Sequence, residues 1–333
     1  MTMGDAPLLS VAGLTTRFVT RDGVVHAVSD VGFELGRGEC LGVVGESGSG
    51  KSVTMLSLLR LIPMPPGEIV SGSAVFDGED LLALTDEALR RVRGGRIGFV
   101  FQDPMTSLNP VLTVEAQIVE ALRVHGLGTR EARRMRAREL LELVGIPAPR
   151  ERLRAYPHEL SGGMRQRVMI AIALACAPPL IVADEPTTAL DVTVQAQIVA
   201  LVKELKRKLS TSIIWITHDL GVVAGLADRV VVMYAGQIVE EAPVRDLYKS
   251  PQHPYTRGLL ASVPRADRKS SVLASIRGQP PSLDEAPASC AFAPRCDFVH
   301  ERCRRENPRL ARLPGGRRVA CWWDLDKGGP RDA

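Results

Sequence analysis

The stretch from Gly45 to Ser52 has residue types and a spacing that can hold a polyphosphate. Its sequence, GESGSGKS, has a glycine, four further residues and then Gly-Lys-Ser, which is the phosphate-binding loop pattern. Glycines allow the main chain to curl until its N–H groups face one centre. Lys51 would neutralise the β and γ phosphates, and Ser52 would ligate Mg²⁺. The predicted nucleotide contacts are Gly45, Ser47, Gly48, Ser49, Gly50, Lys51 and Ser52.

Such a loop needs a strand before it and a helix after it, and the flanking sequence predicts both. Leu41–Val44 is a short apolar run, typical of a buried strand, and residues 53–60 carry apolar side chains at helical spacing. The helix would add the positive end of its dipole to the phosphate site. A flexible turn is the alternative interpretation, and it would not need these flanks.

Two adjacent carboxylates follow another predicted strand. The apolar run Leu180–Ala183 ends in Asp184 and Glu185. Asp184 is suited to bind Mg²⁺, directly or through water. Glu185 would then be free to take a proton from an attacking water. A solvated strand end is the alternative.

Single polar residues end two more predicted strands. Gln102 follows the strand at 97–101, and His218 follows the strand at 213–217. Gln102 could sense Mg²⁺ and water or merely close its strand. His218 could contact the γ phosphate and orient water or Glu185, or it could be structural.

The order of the predicted elements indicates an α/β protein. Strands that alternate with helices favour a mainly parallel sheet, and ligands bind at the carboxyl edge of such a sheet. Residues 8–35 alternate in hydrophobicity around the hairpin signal Asp22-Gly23, which predicts a small antiparallel sheet. Phe18 in this sheet could stack on a purine ring or fill the sheet's core. Ser73–Phe76 predicts a further edge strand.

Residues 104 to about 156 have a helical pattern that indicates an inserted helical subdomain. The predicted helices are 113–125 and 130–144, and the second carries a run of arginines. That run favours a solvated helix face, with membrane or nucleic-acid contact as the alternative. Farther on, Ser161 caps a helix that runs to about Ala175 and has Gly162 and Gly163 in its first turn. Residues 194–209 predict a further amphipathic helix.

Composition indicates a soluble protein with one main domain and a small appendage. The 333 residues are 45% hydrophobic and 24% charged, with a formal net charge of +4, so the charge gives no argument for a nucleic-acid partner. The longest apolar run, 168–183, is too short for a membrane span and is broken by Pro178 and Pro179. Because no basic and apolar leader is present, we expect a cytosolic chain. Cys40 and Cys176 lie in apolar segments and are predicted core residues.

Four more cysteines crowd into the C-terminal tail: Cys290, Cys296, Cys303 and Cys321. The short CxxC spacing common in zinc sites is absent. Soft ligands in a tail rich in proline and arginine favour a metal that staples the fold, with four incidental thiols as the alternative.

Leu160–Gln166, LSGGMRQ, matches the LSGGxxQ signature of ABC ATPases, and the chain resembles this family in every motif. The resemblance implies that 45–52 is Walker A, Gln102 the Q-loop, 180–184 Walker B, Glu185 the catalytic glutamate, Ala189–Asp191 the D-loop and His218 the H-loop, with Phe18 as the adenine-stacking candidate. It also implies a fold with a RecA-like, mainly parallel core, an N-terminal antiparallel β subdomain and a helical subdomain at about 104–160. In the family two such domains dimerise head to tail, so Ser161, Gly162, Gly163 and Asp191 would face the partner's ATP.

The resemblance narrows to importers of oligopeptides and dipeptides. FQDPMTSLNP at 101–110 resembles their Q-loop, and HPYTRGLLASVP at 253–264 resembles their tail motif. This implies an ATPase domain at 8–250 and a C-terminal region at 251–333 whose four cysteines hold a [4Fe-4S] cluster, with zinc as the alternative. The implied partners are two transmembrane permease subunits, a second ATPase subunit that is a paralogue or a self copy, and indirectly an extracytoplasmic binding protein. The implied location is peripheral, at the cytoplasmic side of the membrane.

Two other classes of function would leave recognisable features in the sequence. A non-transport ABC protein acting on DNA or ribosomes would carry long heptad insertions or a second Walker A, and neither is seen in the sequence. An electron-transfer or sensing module would be accompanied by a flavin or haem motif, which is also not seen. We therefore expect no nucleic-acid partner.

Overall fold

The computed structural model describes residues 6–188, 190–263 and 276–331, which form two compact units. Within the described residues, the first unit is built from the segments 6–35, 40–82, 217–263 and 276–331, and the second from 36–39, 83–188 and 190–216. The strands are β1 (Leu9–Thr20), β2 (Gly23–Leu35), β3 (Cys40–Val44), β4 (Gly67–Phe76), β5 (Glu79–Asp80), β6 (Ile97–Val100), β7 (Leu180–Asp184), β8 (Ser212–Thr217), β9 (Arg229–Tyr234), β10 (Gln237–Pro243), β11 (Ala311–Leu313), β12 (Arg317–Val319), β13 (Trp323–Asp324) and β14 (Gly329–Pro330).

The helices alternate with these strands over most of the chain. They are α1 (Lys51–Leu58), α2 (Asp86–Val92), α3 (Pro104–Ser107), α4 (Val114–Val124), α5 (Arg130–Leu143), α6 (Pro149–Arg152), α7 (Gly162–Ala173), α8 (Val192–Leu209), α9 (Leu220–Leu226), α10 (Val244–Lys249), α11 (Pro254–Ala261) and α12 (Glu301–Arg305), and short 3₁₀ helices cover Pro157–Glu159 and Ala293–Arg295. Within the described residues, none of these helices has the length and apolar content needed to cross a bilayer.

The first unit contains the predicted antiparallel sheet, in the order β2-β1-β4-β5. β1 and β2 form the hairpin expected at Asp22-Gly23, with Thr20 opposite Gly23. β4 begins at Gly67, earlier than predicted, and pairs with β1 along its length. Among the described residues, only Val75 and Phe76 of β4 have a neighbour on the other side, since β5 is two residues long. The edge strand predicted at Ser73–Phe76 is therefore confirmed only for its first two residues.

A second sheet region of the first unit has the order β11-β12-β10-β9-β3. β3 and β9 are parallel, with Val43 opposite Val231, and β3 is fully buried. The C-terminal hairpin of β11 and β12 joins this region because β12 pairs with β10. This hairpin was not predicted from the sequence, since its strands are only three residues long.

A buried ion-pair network fastens the C-terminal hairpin to β10. The side chain of Glu241 on β10 is only 2% exposed and binds Arg229 of β9 and Arg318 of β12. Arg318 Nε donates to Glu241 at 2.8 Å. Removing one partner of such a network would leave charge buried without full compensation, which is costly.

The second unit contains the parallel strands β6, β7 and β8, with β7 in the middle. β7 and β8 are buried along their whole length, as continuous apolar runs in parallel sheets are. The helix predicted after Ser161 is α7, and the amphipathic helix predicted at 194–209 is α8. The mainly parallel core predicted from the sequence is confirmed. The helix α2 was not predicted.

The helical residues of the second unit begin as their capping residues indicate. Thr113 caps α4 and Thr129 caps α5, each accepting a main-chain N–H with its side chain. Arg134 of α5 is exposed and Arg138 is half-buried, and they pair with glutamates at 2.7 Å and 2.8 Å. The predicted solvated face is confirmed for Arg130 and Arg134, whereas Arg133 and Arg136 are half-buried. Cys40 is buried, but Cys176 is only partly buried, so its assignment to the core was too strong.

The buried imidazole of His253, at the start of α11, makes the stability of the first unit sensitive to acid. Nδ1 of His253 accepts the N–H of Tyr255 at 3.0 Å, and burial lowers the pKa of His253 to about 3. In the unfolded chain this pKa is about 6.5, so below that pH the unfolded state binds a proton that the native state does not. The group therefore lowers the free energy of unfolding by about 1.4 kcal/mol per pH unit between about 6.5 and 3.

We expect His253→Asn, which keeps a helix-capping acceptor but cannot titrate, to lose less stability than the wild type between pH 7 and pH 5. Urea unfolding at the two pH values measures this, with an expected difference between the two proteins of about 2 kcal/mol. Equal losses in both proteins would show that His253 is not the acid-sensitive group.

Candidate functional site

The loop after β3 has the backbone form that a phosphate site requires. β3 ends at Val44, and α1 begins at Lys51, so the last two residues of the motif lie in the first turn of the helix. A Cβ at Gly45 would lie 2.2 Å from the carbonyl oxygen of Met233, so the main chain passes too close for any side chain there. Gly50 has φ +94°, and its Cβ would lie 2.5 Å from the carbonyl oxygen of Ala27. These two glycines fix the curl of the loop.

Polar groups of the loop point to a phosphate ligand. Lys51 is 4% exposed, and its Nζ donates to the carbonyl oxygens of Gly45 and Glu46, both at 2.9 Å. The hydroxyl of Ser49 is buried without a hydrogen-bond partner among the described residues. Such an orphaned hydroxyl calls for an external partner. The loop therefore fits a bound polyphosphate.

The other predicted loop residues lie where a ligand could reach them. Ser47 and Gly48 are exposed, and Ser52 is half-buried in the first turn of α1. A Cβ at Gly48 would meet nothing within 4 Å, so that glycine is required by its φ of +76° and not by crowding.

The predicted carboxylates lie at the end of β7. Asp184 is buried as the last residue of the strand, and Glu185 follows it with φ +43°. A left-handed conformation is costly for a residue with a Cβ, and such strain concentrates at functional sites. The N–H of Glu185 donates to the carbonyl of Ile216 at 3.0 Å, which holds this bend in place.

The structure brings Gln102 and Glu185 together in the second unit. Gln102 Nε2 donates to Glu185 Oε2 at 3.4 Å, and Thr188 Oγ1 donates to the same oxygen at 3.0 Å. Gln102 is exposed, since it follows the end of β6. Thr188, which orients the carboxylate from within its own turn, was not predicted from the sequence.

The signature residues lie at the start of α7. Ser161 caps the helix by accepting the N–H of Met164 at 3.4 Å, and Ser161 and Gly162 are exposed. A Cβ at Gly163 would lie 2.7 Å from Cγ1 of Val194 on α8, so close helix packing also requires this glycine. Asp191 caps α8 by accepting the N–H of Val194 at 2.9 Å.

Three other predicted site positions remain, namely His218, Phe18 and Ala189. His218 is exposed between β8 and α9. Phe18 lies on β1 opposite Val25, and its ring edge lies 3.2 Å from where a Cβ of Gly67 would be. Ala189 of the predicted D-loop lies outside the described residues.

A cluster of side chains that was not predicted from the sequence holds Glu46, inside the phosphate loop. The N–H of Glu46 donates to Tyr255 Oη at 2.8 Å, and its carboxylate accepts from Arg295 at 2.7 Å and 3.0 Å. Tyr234 and Phe292 pack around Tyr255, with ring centroids 4.6 Å and 5.4 Å away. Burial raises the pKa of Tyr255, so its hydroxyl stays protonated at neutral pH. No local pattern could have joined Glu46 to a residue so far along the chain.

The four C-terminal cysteines lie in one neighbourhood of the first unit. The N–H of Cys290 donates to the carbonyl of Cys303 at 3.0 Å. Main-chain N–H groups donate to the sulfurs of Cys296 and Cys321, both at 3.4 Å. Burial, with a smaller effect from neighbouring cysteines of the set, raises the pKa of Cys290 to about 11 and that of Cys321 to about 12. Among the described residues, no group of His, Cys, Asp or Glu side chains closes around a single metal-ion position.

Comparison with protein families gives two matches. Residues 28–188 match the family described as ABC transporter, and residues 239–303 match the C-terminal region of oligopeptide/dipeptide transporters. A solved dimeric ATP-binding cassette in a post-hydrolysis state, bound to ADP and Pi, is similar with a TM-score of 0.64 and 30% identity, covering 71% of this chain and 99% of that one.

Curated relatives match over nearly the whole chain. A probable peptide ABC transporter ATP-binding protein of Sinorhizobium fredii is 52% identical over 316 residues, which is 95% of this chain and 94% of the relative. The oligopeptide transport ATP-binding protein OppD of Bacillus subtilis is 52% identical over 95% of this chain and 88% of its own. A dipeptide transport ATP-binding protein of Haemophilus influenzae is 49% identical over 97% of both chains. With the loop, the carboxylates and the signature helix in place, this chain belongs to the family of ABC transporter ATP-binding subunits, which are ATPases, and to its oligopeptide/dipeptide branch.

Proposed function

We propose that this chain hydrolyses ATP to drive the import of dipeptides or oligopeptides through membrane permease subunits. The observation that carries the ATPase assignment is the phosphate loop, with its buried Lys51 and the unpartnered hydroxyl of Ser49. Support for the peptide cargo comes from the match of residues 239–303 and from the names of the relatives.

The residues of the site take separate roles in hydrolysis. Main-chain N–H groups of the loop and the ammonium group of Lys51 bind the phosphates, because the loop is curled and α1 starts behind it. Ser52, Gln102 and Asp184 are the proposed Mg²⁺ ligands, and the ion neutralises phosphate charge when bound. Glu185 accepts the proton of the attacking water. His218 contacts the γ phosphate, and Phe18 stacks on the adenine.

A second ATPase subunit completes the site. Ser161 and Gly162 are exposed at the start of α7, where main-chain N–H groups without helical partners can bind an anion. We infer that Ser161, Gly162, Gly163 and Asp191 face the nucleotide of a partner that is a paralogue or a second copy of this chain. The similar solved cassette is dimeric.

The membrane partners would be two permease subunits, which receive cargo from an extracytoplasmic binding protein. Residues near Gln102 and the helices that follow carry exposed apolar side chains, such as Met105, Val111 and Val124. Exposed apolar side chains of this kind are available for contact with another protein. The chain would therefore act as a peripheral subunit at the cytoplasmic side of the membrane, without a nucleic-acid partner.

The importer assignment is tested by purifying the tagged chain from detergent-solubilised membranes of its own organism. We expect two membrane proteins and a second ATPase subunit to co-purify and to be identified by mass, and we expect a labelled di- or tripeptide to accumulate in cells only when the complex is intact. A chain that co-purifies with ribosomes or DNA and leaves peptide uptake unchanged would contradict the proposal.

We also propose that Cys290, Cys296, Cys303 and Cys321 hold a [4Fe-4S] cluster. Four cysteine thiolates are the usual ligand set of such a cluster, and N–H groups that donate to cysteine sulfur tune it. Support comes from the two sulfurs that accept main-chain N–H groups, and from the limited exposure of the set, in which Cys303 is buried and the other three cysteines are half-buried. Zinc is the alternative, and it would need the four sulfurs to close around one point.

The cluster predicts a coloured protein. Chain purified without oxygen should be brown and contain about four iron and four acid-labile sulfide per chain. Cys321→Ser should lower both contents and bleach the colour, whereas Cys176→Ser, outside the set, should change neither. Colourless protein with one zinc per chain would contradict the cluster assignment.

A further inference from the structure

The guanidinium of Arg295 uses all five of its N–H donors inside the first unit. Its Nη1 and Nη2 donate to the carboxylate of Glu46 at 2.7 Å and 3.0 Å. The remaining donors reach Tyr234 Oη at 3.3 Å, the carbonyl of Ile276 at 3.4 Å and, from Nε, the carbonyl of Arg277 at 2.9 Å. The side chain is 4% exposed. A bidentate pair with full satisfaction of the fork fixes both partners in position.

The partner in this pair is the first residue after Gly45 in the phosphate loop. The main chain of Glu46 is held by Tyr255 and its carboxylate by Arg295, and its carbonyl accepts from Lys51 at 2.9 Å. A bare carboxylate at this point would repel a triphosphate, and Arg295 cancels its charge. Arg295 therefore affects both the shape and the charge of the loop.

Arg295 lies on a turn between two of the C-terminal cysteines. The 3₁₀ helix Ala293–Arg295 starts from the carbonyl of Cys290, which accepts the N–H of Ala293 at 3.0 Å. It ends at Cys296, whose N–H donates to the carbonyl of Ala293 at 3.4 Å. A change in how the two sulfurs are held would rotate this short turn, and the guanidinium would move with it.

We propose that Arg295 is a positioning residue that holds the phosphate loop in its nucleotide-binding form. The turn between Cys290 and Cys296 sets the position of the Arg295 side chain. The state of the cysteine site therefore controls the affinity for nucleotide. This inference rests on the proposed ATPase site. According to this inference the C-terminal region contributes to nucleotide binding, because the side chain of Arg295 connects the cysteine site to the phosphate loop.

The first test measures the affinity of the full chain for Mg²⁺ with a non-hydrolysable ATP analogue, and the KM and kcat of ATP hydrolysis. Arg295→Met should weaken affinity about tenfold or more and raise KM with kcat nearly unchanged, because a charge-assisted pair is lost outside the reacting atoms. Glu46→Gln combined with Arg295→Met should restore most of the affinity, since no unpaired carboxylate remains. Arg312→Met, an exposed arginine on β11, is the matched control and should behave as wild type.

The outcomes separate this inference from the proposed function. Wild-type chain that fails to bind the analogue would refute the proposed ATP site itself. Wild-type binding with equal affinity in Arg295→Met would refute the positioning role. Weakened affinity that the Glu46→Gln change does not rescue would show a general structural defect and would also overturn the inference.

The second test asks whether the cysteines act through this pair. Cys296→Ser should weaken the affinity for the same analogue in the wild-type background and have no further effect in the Glu46→Gln, Arg295→Met background. Unchanged affinity in the first background, or an equal loss in both, would disconnect the cysteine site from the phosphate loop.

Discussion

Glu185→Gln is expected to bind ATP with wild-type affinity and to turn it over at least about a hundredfold more slowly. The amide keeps the shape of the side chain and can still bond to Thr188, which lies 3.0 Å from the carboxylate. It cannot accept a proton from water, and general-base catalysis contributes about 10² to 10⁴ in rate. This variant should therefore keep its affinity for ATP while its rate of ATP hydrolysis falls.

Nucleotide binding by equilibrium titration and steady-state release of phosphate measure the two effects. Glu204→Gln is the matched control, because that glutamate is exposed on α8 and pairs with Lys208 on the same helix. Normal turnover in Glu185→Gln would refute the base assignment, and loss of ATP binding would place Glu185 in the binding site instead.

Lys51→Ala is expected to lose both ATP binding and hydrolysis. Lys51 is buried, and its ammonium group is aimed by two carbonyls of its own loop. The alanine variant loses the charge that would meet the β and γ phosphates, and it also leaves those two carbonyls without their donor. Charge-assisted hydrogen bonds of this kind correspond to a loss of affinity of about 10- to 100-fold each.

The same titration and phosphate assay test this variant, with the melting temperature as a check on folding. Lys203→Ala, at an exposed position on α8, should match the wild type in every assay. A folded Lys51→Ala chain that keeps its affinity for ATP would remove the phosphate loop from the site.

Elements with long hydrophobic patterns or strong caps were predictable from the sequence. The hairpin of β1 and β2, the strand and helix around the loop, and α5 and α7 begin and end within a few residues of the predicted bounds. These features are set by local chemistry, such as the Asp22-Gly23 turn and the capping side chains of Thr129 and Ser161. The family match confirms the fold class that these elements indicated.

Features that depend on distant residues were not predictable. The strands of the hairpin β11–β12 are too short to show an alternation of hydrophobic and polar residues. The position of the hairpin is fixed by the pairing of β12 with β10. The carboxylate of Glu46 meets a guanidinium that is 249 residues away in sequence. Gly163 carries two requirements at once, a helix start and close packing on Val194, and the sequence could suggest only the first.

The pairing of β10 with β12 bears on how the C-terminal tail should be studied. β10 bonds to β9 on one side and to the hairpin on the other, and the N–H of Ala320 donates to the carbonyl of Val239 at 2.8 Å. A chain shortened before the hairpin would expose an unpaired strand, which invites association between copies. Precipitation of such a shortened protein would result from the unpaired edge of β10 and would reveal nothing about the chemistry of the cysteines. Single substitutions in the intact chain are therefore the better test of the cysteine site.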